Sequence, residues 1–119
     1  MQDFKKLNVW KKAHELTLSI YSETMDFPAE EAFGLRSQMR RASSSIGINI
    51  AEGCGRTSQT ELRRYLRMAQ GSASELEYQL LLARDLSFLT EGVHQRLSSQ
   101  VVEIKKMTTA LIRKLRTEN

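Results

Sequence analysis

The chain has 119 residues, of which 40% are apolar and 27% charged, with a net charge of +4 and an isoelectric point near 9.5. This length provides one domain, over residues 1–119, and excludes a second. No apolar run has the length of a signal sequence or of a membrane span, so neither export nor membrane insertion is predicted. The only cysteine, Cys54, cannot form an internal disulfide, and we expect a cytoplasmic protein.

Residues 9–26 predict the first helix. Apolar and small side chains recur three or four residues apart, the period of one helix face, and Asn8 is suited to cap its N-terminus. The stripe comprises Trp10, Ala13, Leu16, Thr17, Ile20, Tyr21 and Thr24. Pro28 is expected to end this helix, because proline disfavours helical geometry in the residue before it.

A second helix is predicted over residues 29–52, since proline tolerates the start of a new helix. Its stripe comprises Leu35, Met39, Ala42, Ile46, Asn49 and Ile50. The sequence Gly53-Cys54-Gly55 follows, where a glycine in the left-handed conformation is expected to close the helix. Because the turn is short, the next helix should run back antiparallel.

Capping signals precede two further helices. Ser58 and Glu61 have the spacing of a capping box, and the seam that follows is Leu62, Leu66, Ala69, Ala73, Leu76, Leu80 and Ala83. Thr90 can cap a fourth helix, whose seam is Val93, Leu97, Val101, Ile104, Thr108, Leu111 and Leu115. Four amphipathic helices with short connections predict an all-α, antiparallel up-and-down four-helix bundle.

Few residues suggest metal or catalytic chemistry. Glu91 and His94 have the Glu-x-x-His spacing of half a di-iron site, but no second half occurs. His14 lies near Lys11, and Cys54 has no neighbouring Cys or His to complete a zinc site. We therefore expect no metal and no cofactor.

A polar stripe flanks the apolar stripe of the second helix and comprises Gln38, Ser45, Asn49 and Glu52. Such side chains need hydrogen-bond partners, which favours a structural polar network. The alternative is an acid–base site built on Glu52, for which Ser and Asn are poor partners. We expect that the protein is not an enzyme.

Positive charge is concentrated in residues 36–67, which hold seven arginines, no lysine and two acidic residues. These are Arg36, Arg40, Arg41, Arg56, Arg63, Arg64 and Arg67. Arginine binds phosphate in a bidentate manner, so this pattern favours phosphate contacts over a merely solvated face. With the chain folded back near residue 55, Arg40 and Arg41 are expected at the level of Arg67.

A second basic cluster, in the fourth helix, is weaker evidence for phosphate contacts, because cations near a helix C-terminus also suit the helix dipole without any ligand. It comprises Lys105, Lys106, Arg113, Lys114 and Arg116. No aromatic residues are interleaved with the arginines, so base stacking is not indicated and only backbone contact is implied.

The third helix has apolar residues away from its seam, namely Tyr65, Met68, Leu82 and Leu86. Either they also serve the bundle, since a core helix can have a broad apolar face, or they form a subunit interface. We predict that these residues form a subunit interface.

The motif Ser-Ile-x-x-Asn-Ile-Ala-Glu-Gly at residues 45–53, within the run 35–53 and followed by the run 66–76, resembles a known family. The chain is similar, from residue 7 through residue 89, to four-helix-bundle proteins encoded in intervening sequences of bacterial 23S rRNA genes. A related protein is the accessory variability determinant of diversity-generating retroelements, which works with a reverse transcriptase. The resemblance implies a barrel-like homopentamer with a basic surface that binds nucleic acid, and not an enzyme.

Charge and resemblance together predict a small oligomeric accessory protein that contacts RNA or DNA backbones through its arginines. A reverse transcriptase or an RNA-processing protein is the expected protein partner. The alternative is a protein-interaction scaffold, whose arginines dock an acidic protein partner without nucleic acid.

Overall fold

The computed structural model describes residues 2–117 and contains four long α-helices. They are α1 (Asn8–Glu23), α2 (Leu35–Cys54), α3 (Gln59–Asp85) and α4 (Glu91–Thr117). Two short 3-10 turns, Phe4–Lys6 and Ala29–Glu31, precede α1 and α2. No strand occurs in this part of the chain.

Each helix packs against its neighbours in sequence, and α1 also packs against α4, which closes an antiparallel bundle of 47 × 23 × 20 Å. The predicted all-α four-helix bundle is confirmed. Two hydrogen bonds fix the register of its helices: Ser45 Oγ lies 2.9 Å from Ser72 Oγ, and Gln70 Nε2 donates to Thr109 Oγ1 at 2.6 Å.

The core follows the predicted seams. All seven seam residues of α3 are buried, as are Leu97, Val101, Ile104, Thr108 and Leu115 of α4. Ile112 of α4 is also buried, although it lay outside the predicted seam. Tyr21 of α1 was predicted to be buried, but 45% of its surface is exposed, and its ring contacts Arg40.

Both predicted caps of the later helices are present. Ser58 Oγ accepts a hydrogen bond from the Glu61 backbone N–H at 3.1 Å, and Thr90 Oγ1 accepts one from Val93 N–H at 3.2 Å. The predicted cap of α1 is wrong, because Asn8 is its first helical residue and Leu7 takes the N-cap position.

The predicted start of α2 at residue 29 is also wrong. The 3-10 turn after Pro28 stops at Glu31, and α2 begins only at Leu35. Glu31 Oε1 accepts a hydrogen bond from the Leu35 backbone N–H at 2.7 Å and so satisfies a donor at the start of α2.

No left-handed glycine closes α2. Gly55 has φ −81°, and no glycine among residues 2–117 has a positive φ. The backbone N–H of Gln2 instead donates to the Cys54 carbonyl at 3.2 Å, which satisfies a carbonyl at the helix end. Gly53 is required for packing, because a Cβ there would lie 2.9 Å from the Cβ of Tyr65.

We name the two ends of the bundle by their connections. The hairpin end contains the α2–α3 turn, the start of the chain and the end of α4, and the opposite end contains the α1–α2 and α3–α4 connections. None of the described helices has the length and apolar character needed to cross a membrane.

Candidate nucleic-acid interface

Two of the seven predicted arginines bond to the ends of helices. Arg40 donates to the Tyr21 carbonyl (3.1 Å) and to Thr24 Oγ1 (3.0 Å) at the end of α1. Arg63 donates to the Leu115 carbonyl at 3.3 Å near the end of α4. Both guanidinium groups therefore stabilise carbonyl oxygens that the helices leave without intrahelical donors.

Arg56 and Arg64 both lie against the ring of Tyr65. Their guanidinium carbons lie 5.0 and 4.7 Å from its centroid, and Arg56 Nη2 donates to the Tyr65 hydroxyl at 2.7 Å. Arg64 also forms two hydrogen bonds with the Glu61 carboxylate, at 3.1 and 3.2 Å. These bonds lower the pKa of the Glu61 carboxyl.

The register of α2 and α3 separates the predicted arginines into two groups. The bond between Ser45 and Ser72 places Arg41 level with Leu76 and Arg67 level with Ile50. Arg67 and Leu76 are nine residues apart, which corresponds to about 13.5 Å along the bundle. The expectation that Arg40 and Arg41 lie at the level of Arg67 is therefore wrong, because they are much further from the turn.

Arg56, Arg63, Arg64 and Arg67 thus lie toward the hairpin end, whereas Arg36, Arg40 and Arg41 lie in the first half of α2. Arg41 and Arg67 are exposed, and Arg36 is partly exposed. The seven residues do not form one continuous patch.

The structure brings together two residues of the predicted polar network. Asn49 Nδ2 donates to the Ser45 carbonyl (2.9 Å) and lies 3.1 Å from Ser45 Oγ, which in turn contacts Ser72 of α3. Glu52 lies apart from them and forms an ion pair with Arg56 at 3.6 Å. Gln38 is exposed. The network is therefore smaller than predicted and joins α2 to α3.

The four residues predicted to form a subunit interface differ in their burial. Tyr65 is buried, and Leu82 is half-buried against the core, so these two pack within the bundle. Met68 of α3 and Leu86, the residue that follows α3, remain exposed by 45% and 48%. Two residues that the prediction omitted, Tyr78 and Leu81, are exposed as well.

A groove of about 460 Å³ lies along α4 beside α3. We call it the α3–α4 groove, and its lining residues are Gln70, Val102, Lys105, Lys106, Thr109, Ala110 and Arg113. Lys105 Nζ forms an ion pair with Glu77 of α3 at 2.9 Å. Lys106 and Arg113 are exposed, so their charges face solvent beside the groove.

Arg67 extends this basic surface toward the hairpin end. The bond between Gln70 and Thr109 places those residues side by side. Arg67 lies about one turn before Gln70 on α3, and Arg113 lies about one turn after Thr109 on α4. Because the two helices are antiparallel, both arginines are displaced toward the hairpin end.

The bundle is electrically polar along its length. Residues 2–12, 50–67 and 106–117, the segments nearest the hairpin end, hold twelve Lys or Arg residues and three Asp or Glu residues. Residues 23–36 and 82–96, nearest the opposite end, hold six acidic residues and three arginines. The electrostatic potential is therefore more positive at the hairpin end than at the opposite end.

The residues considered for metal binding have other neighbours. His94 lies 3.2 Å from Ser98 Oγ and 3.9 Å from Glu91, and the His14 ring stacks on Trp10 with centroids 5.1 Å apart. Cys54 is buried, and this burial raises the pKa of its thiol. Within residues 2–117, no three His, Cys, Asp or Glu side chains form a group that could hold a metal ion.

Comparison with known proteins identifies the family. The family model of the 23S rRNA-intervening sequence protein matches residues 5–110. The chain belongs to this family. No curated protein matches the chain.

A solved structure has the same fold as this family member. It is a protein with unknown function from the S23 ribosomal protein family of Bacteroides thetaiotaomicron VPI-5482. The two chains are 25% identical with a TM-score of 0.81, over 88% of this chain and 95% of the other.

The helix dipole does not account for the whole second basic cluster of this 23S rRNA-intervening sequence family member. Because α4 continues to Thr117, Lys105 and Lys106 lie about three turns before its end, whereas the dipole acts within the last turn. Their position inside a long predicted helix was the available signal for another role.

Proposed function

We propose that this member of the 23S rRNA-intervening sequence family binds nucleic acid through its phosphate backbone, in the α3–α4 groove and at the adjoining hairpin end. The observation that carries the proposal is the position of Lys106 and Arg113 on the same groove, with Arg67 beside them. The family name supports RNA as the ligand.

The spacing of the cations suits a polyanion. Lys106 and Arg113 are seven residues apart on α4, which corresponds to about 10 Å along the helix. A duplex strand carries one phosphate for about every 3.4 Å of its axis, so a backbone lying along the groove presents several phosphates over this distance. An isolated anion would need only one of the two cations.

The groove supports backbone contact rather than base reading. None of its seven lining residues is aromatic, so it offers no surface on which bases stack. Phosphate contacts position a nucleic acid without reading its sequence. We therefore infer binding with little sequence preference.

Assembly belongs to the same proposal. The resemblance implies a homopentamer, and the exposed apolar side chains of α3 provide surface for contacts between copies. Five copies would repeat the basic groove, and several weak phosphate contacts would then act as one multivalent site. A reverse transcriptase or an RNA-processing protein is the protein partner that this proposal includes.

The test is binding of single-stranded RNA and DNA over a range of salt concentrations, measured by fluorescence anisotropy. We expect log K to fall linearly with log salt, with a slope of about −0.7 per phosphate contact. Combining Lys106→Gln with Arg113→Gln should weaken binding and make the slope shallower by about 1.4. The matched double variant Arg84→Gln with Arg96→Gln loses the same charge at the opposite end and should retain the slope.

Absence of binding at low salt, or binding that salt does not weaken, would contradict the proposal. A protein captured from nuclease-treated extract by the wild type, and lost with the groove variant, would support the scaffold for an acidic protein instead.

A further inference from the structure

A polar pair lies in the middle of the α3–α4 groove. Gln70 Nε2 donates to Thr109 Oγ1 at 2.6 Å, and both side chains are partly exposed and line the groove. Thr108, one residue earlier on α4, is buried and donates its hydroxyl proton to the Ile104 carbonyl at 2.7 Å. Thr109 differs because its oxygen accepts a hydrogen bond from Gln70 of the neighbouring helix.

This bond leaves hydrogen-bonding capacity in the groove. A threonine hydroxyl can donate once and accept, so Thr109 retains its own proton after accepting from Gln70. The Gln70 carbonyl oxygen retains its acceptor sites. Exchanging the amide oxygen and nitrogen of Gln70 would also leave donors and acceptors on the pair.

The pair lies between cations. Along α4, Thr109 is three residues after Lys106 and four residues before Arg113, which corresponds to about 4.5 and 6 Å along the helix. A backbone whose phosphates contact Lys106 and Arg113 places a sugar between these two cations, next to the Gln70–Thr109 pair.

We propose that the Gln70–Thr109 pair makes the groove selective for RNA over DNA by hydrogen bonding to a ribose 2′-hydroxyl. This hydroxyl is both a donor and an acceptor, which matches the donor and acceptor capacity that the pair leaves unused. A deoxyribose presents hydrogen there and leaves the pair without a partner. The inference rests on the proposed nucleic-acid binding, since the cations must first hold the backbone.

The experiment compares single-stranded oligonucleotides of one sequence, about 15 nucleotides long, containing uracil in both the RNA and the DNA strand. The wild type should bind RNA about five- to tenfold more tightly than DNA, the effect of one or two net hydrogen bonds. A 2′-O-methyl strand, which keeps the acceptor and loses the donor, should bind with intermediate affinity.

Two variants locate the effect. Thr109→Val has nearly the same shape without the hydroxyl, and it should lower the affinity for RNA more than that for DNA, bringing the RNA-to-DNA affinity ratio to within about twofold. Ser99→Ala removes a hydroxyl from α4 outside the groove and should keep the wild-type ratio. If the bond only joined α3 to α4, Thr109→Val would lower thermal stability and leave the ratio unchanged.

The outcomes separate this inference from the function on which it rests. Equal wild-type affinity for RNA and DNA, or a ratio that survives in Thr109→Val, overturns the selectivity while nucleic-acid binding stands. Failure to bind either strand overturns the proposed function. The wild-type comparison needs no variant, so the inference stays testable even if Thr109→Val does not fold.

Discussion

Gly53 of α2 and Tyr65 of α3 approach so closely that a Cβ added to the glycine would lie 2.9 Å from the Cβ of Tyr65. The same added atom would lie 2.9 Å from Leu62 Cδ1, which a side-chain rotation can move away. The Tyr65 Cβ is fixed to the backbone, so α2 and α3 would have to separate. The close contact holds Tyr65 in place beneath Arg56 and Arg64.

We therefore predict that Gly53→Ala lowers the free energy of unfolding by about 1–3 kcal/mol, the usual cost of overpacking. Chemical denaturation followed by circular dichroism measures it. Gly71→Ala is the matched control, because Gly71 also lies within a helix but no atom of another element lies within 4 Å of an added Cβ. Gly71→Ala should raise the free energy of unfolding by about 0.5–1 kcal/mol. Equal effects of the two variants would contradict the packing role of Gly53.

The helices could be predicted from the sequence because their signals are local. The regular four-and-three spacing from Leu62 to Ala83 describes one face of a helix, and that face is buried. The sequence Gly53-Cys54-Gly55 also predicts where α2 ends, and the helix ends at Cys54. The partner of the Cys54 carbonyl could not be predicted in this way, because Gln2 is distant in sequence and reaches Cys54 only in the folded chain.

The candidate site was less predictable, because its contacts also join residues that are distant in sequence. The sequence shows how many arginines occur together but not which carbonyl each one contacts. Arg40 bonds to α1 and Arg63 to α4, and both contacts depend on the register of the helices. The groove combines Gln70 with Lys106 and Arg113, which lie more than thirty residues away along the chain.

Arg40 and Arg67 should have different roles despite their equal charge. Arg40→Gln removes two hydrogen bonds at the end of α1 and should lower the free energy of unfolding by about 1–2 kcal/mol. Arg67→Gln changes an exposed side chain, so it should leave stability within about 0.5 kcal/mol of the wild type and weaken nucleic-acid binding.

Denaturation and anisotropy measurements on the same two variants test this assignment. Arg41→Gln is the stability control for Arg40→Gln, because Arg41 is the next residue of α2 and is exposed. A fully stable Arg40→Gln variant would show that the bonds to Tyr21 and Thr24 contribute nothing to the fold.

The ion pair of Glu61 with Arg64 predicts a pH dependence. The bonds from Arg64 lower the pKa of Glu61 in the folded chain, so the folded state binds a proton there less readily than the unfolded state. The stabilisation is present at neutral pH and is lost as the pH falls through the lowered pKa. Glu61→Gln should therefore be less stable than the wild type at pH 7, with a difference that shrinks in acid.

Thermal unfolding of both proteins between neutral and strongly acidic pH measures this difference. Because the pair is exposed, added salt should also reduce it at neutral pH. A difference that is independent of pH would mean that the charge of Glu61 does not stabilise the fold, and would contradict the role assigned to its ion pair with Arg64.

The last prediction concerns assembly and follows from the exposed side chains of α3. Leu82 packs against the core, so a charge at that position would destabilise the bundle and cannot test an interface. Met68 and Leu81 are exposed and can accept a charge without loss of core packing. If they contact a neighbouring copy, Met68→Glu and Leu81→Glu should lower the mass measured by light scattering while helical content is retained. Nucleic-acid affinity should fall with the mass, because separate copies lose the multivalent arrangement of grooves.

Ser22→Glu is the control for these two variants. It adds the same charge to the exposed side of α1 and should keep both the mass and the affinity. A wild type that is monomeric at micromolar concentration, or a dissociated variant that binds RNA with unchanged affinity, would show that assembly and binding are independent.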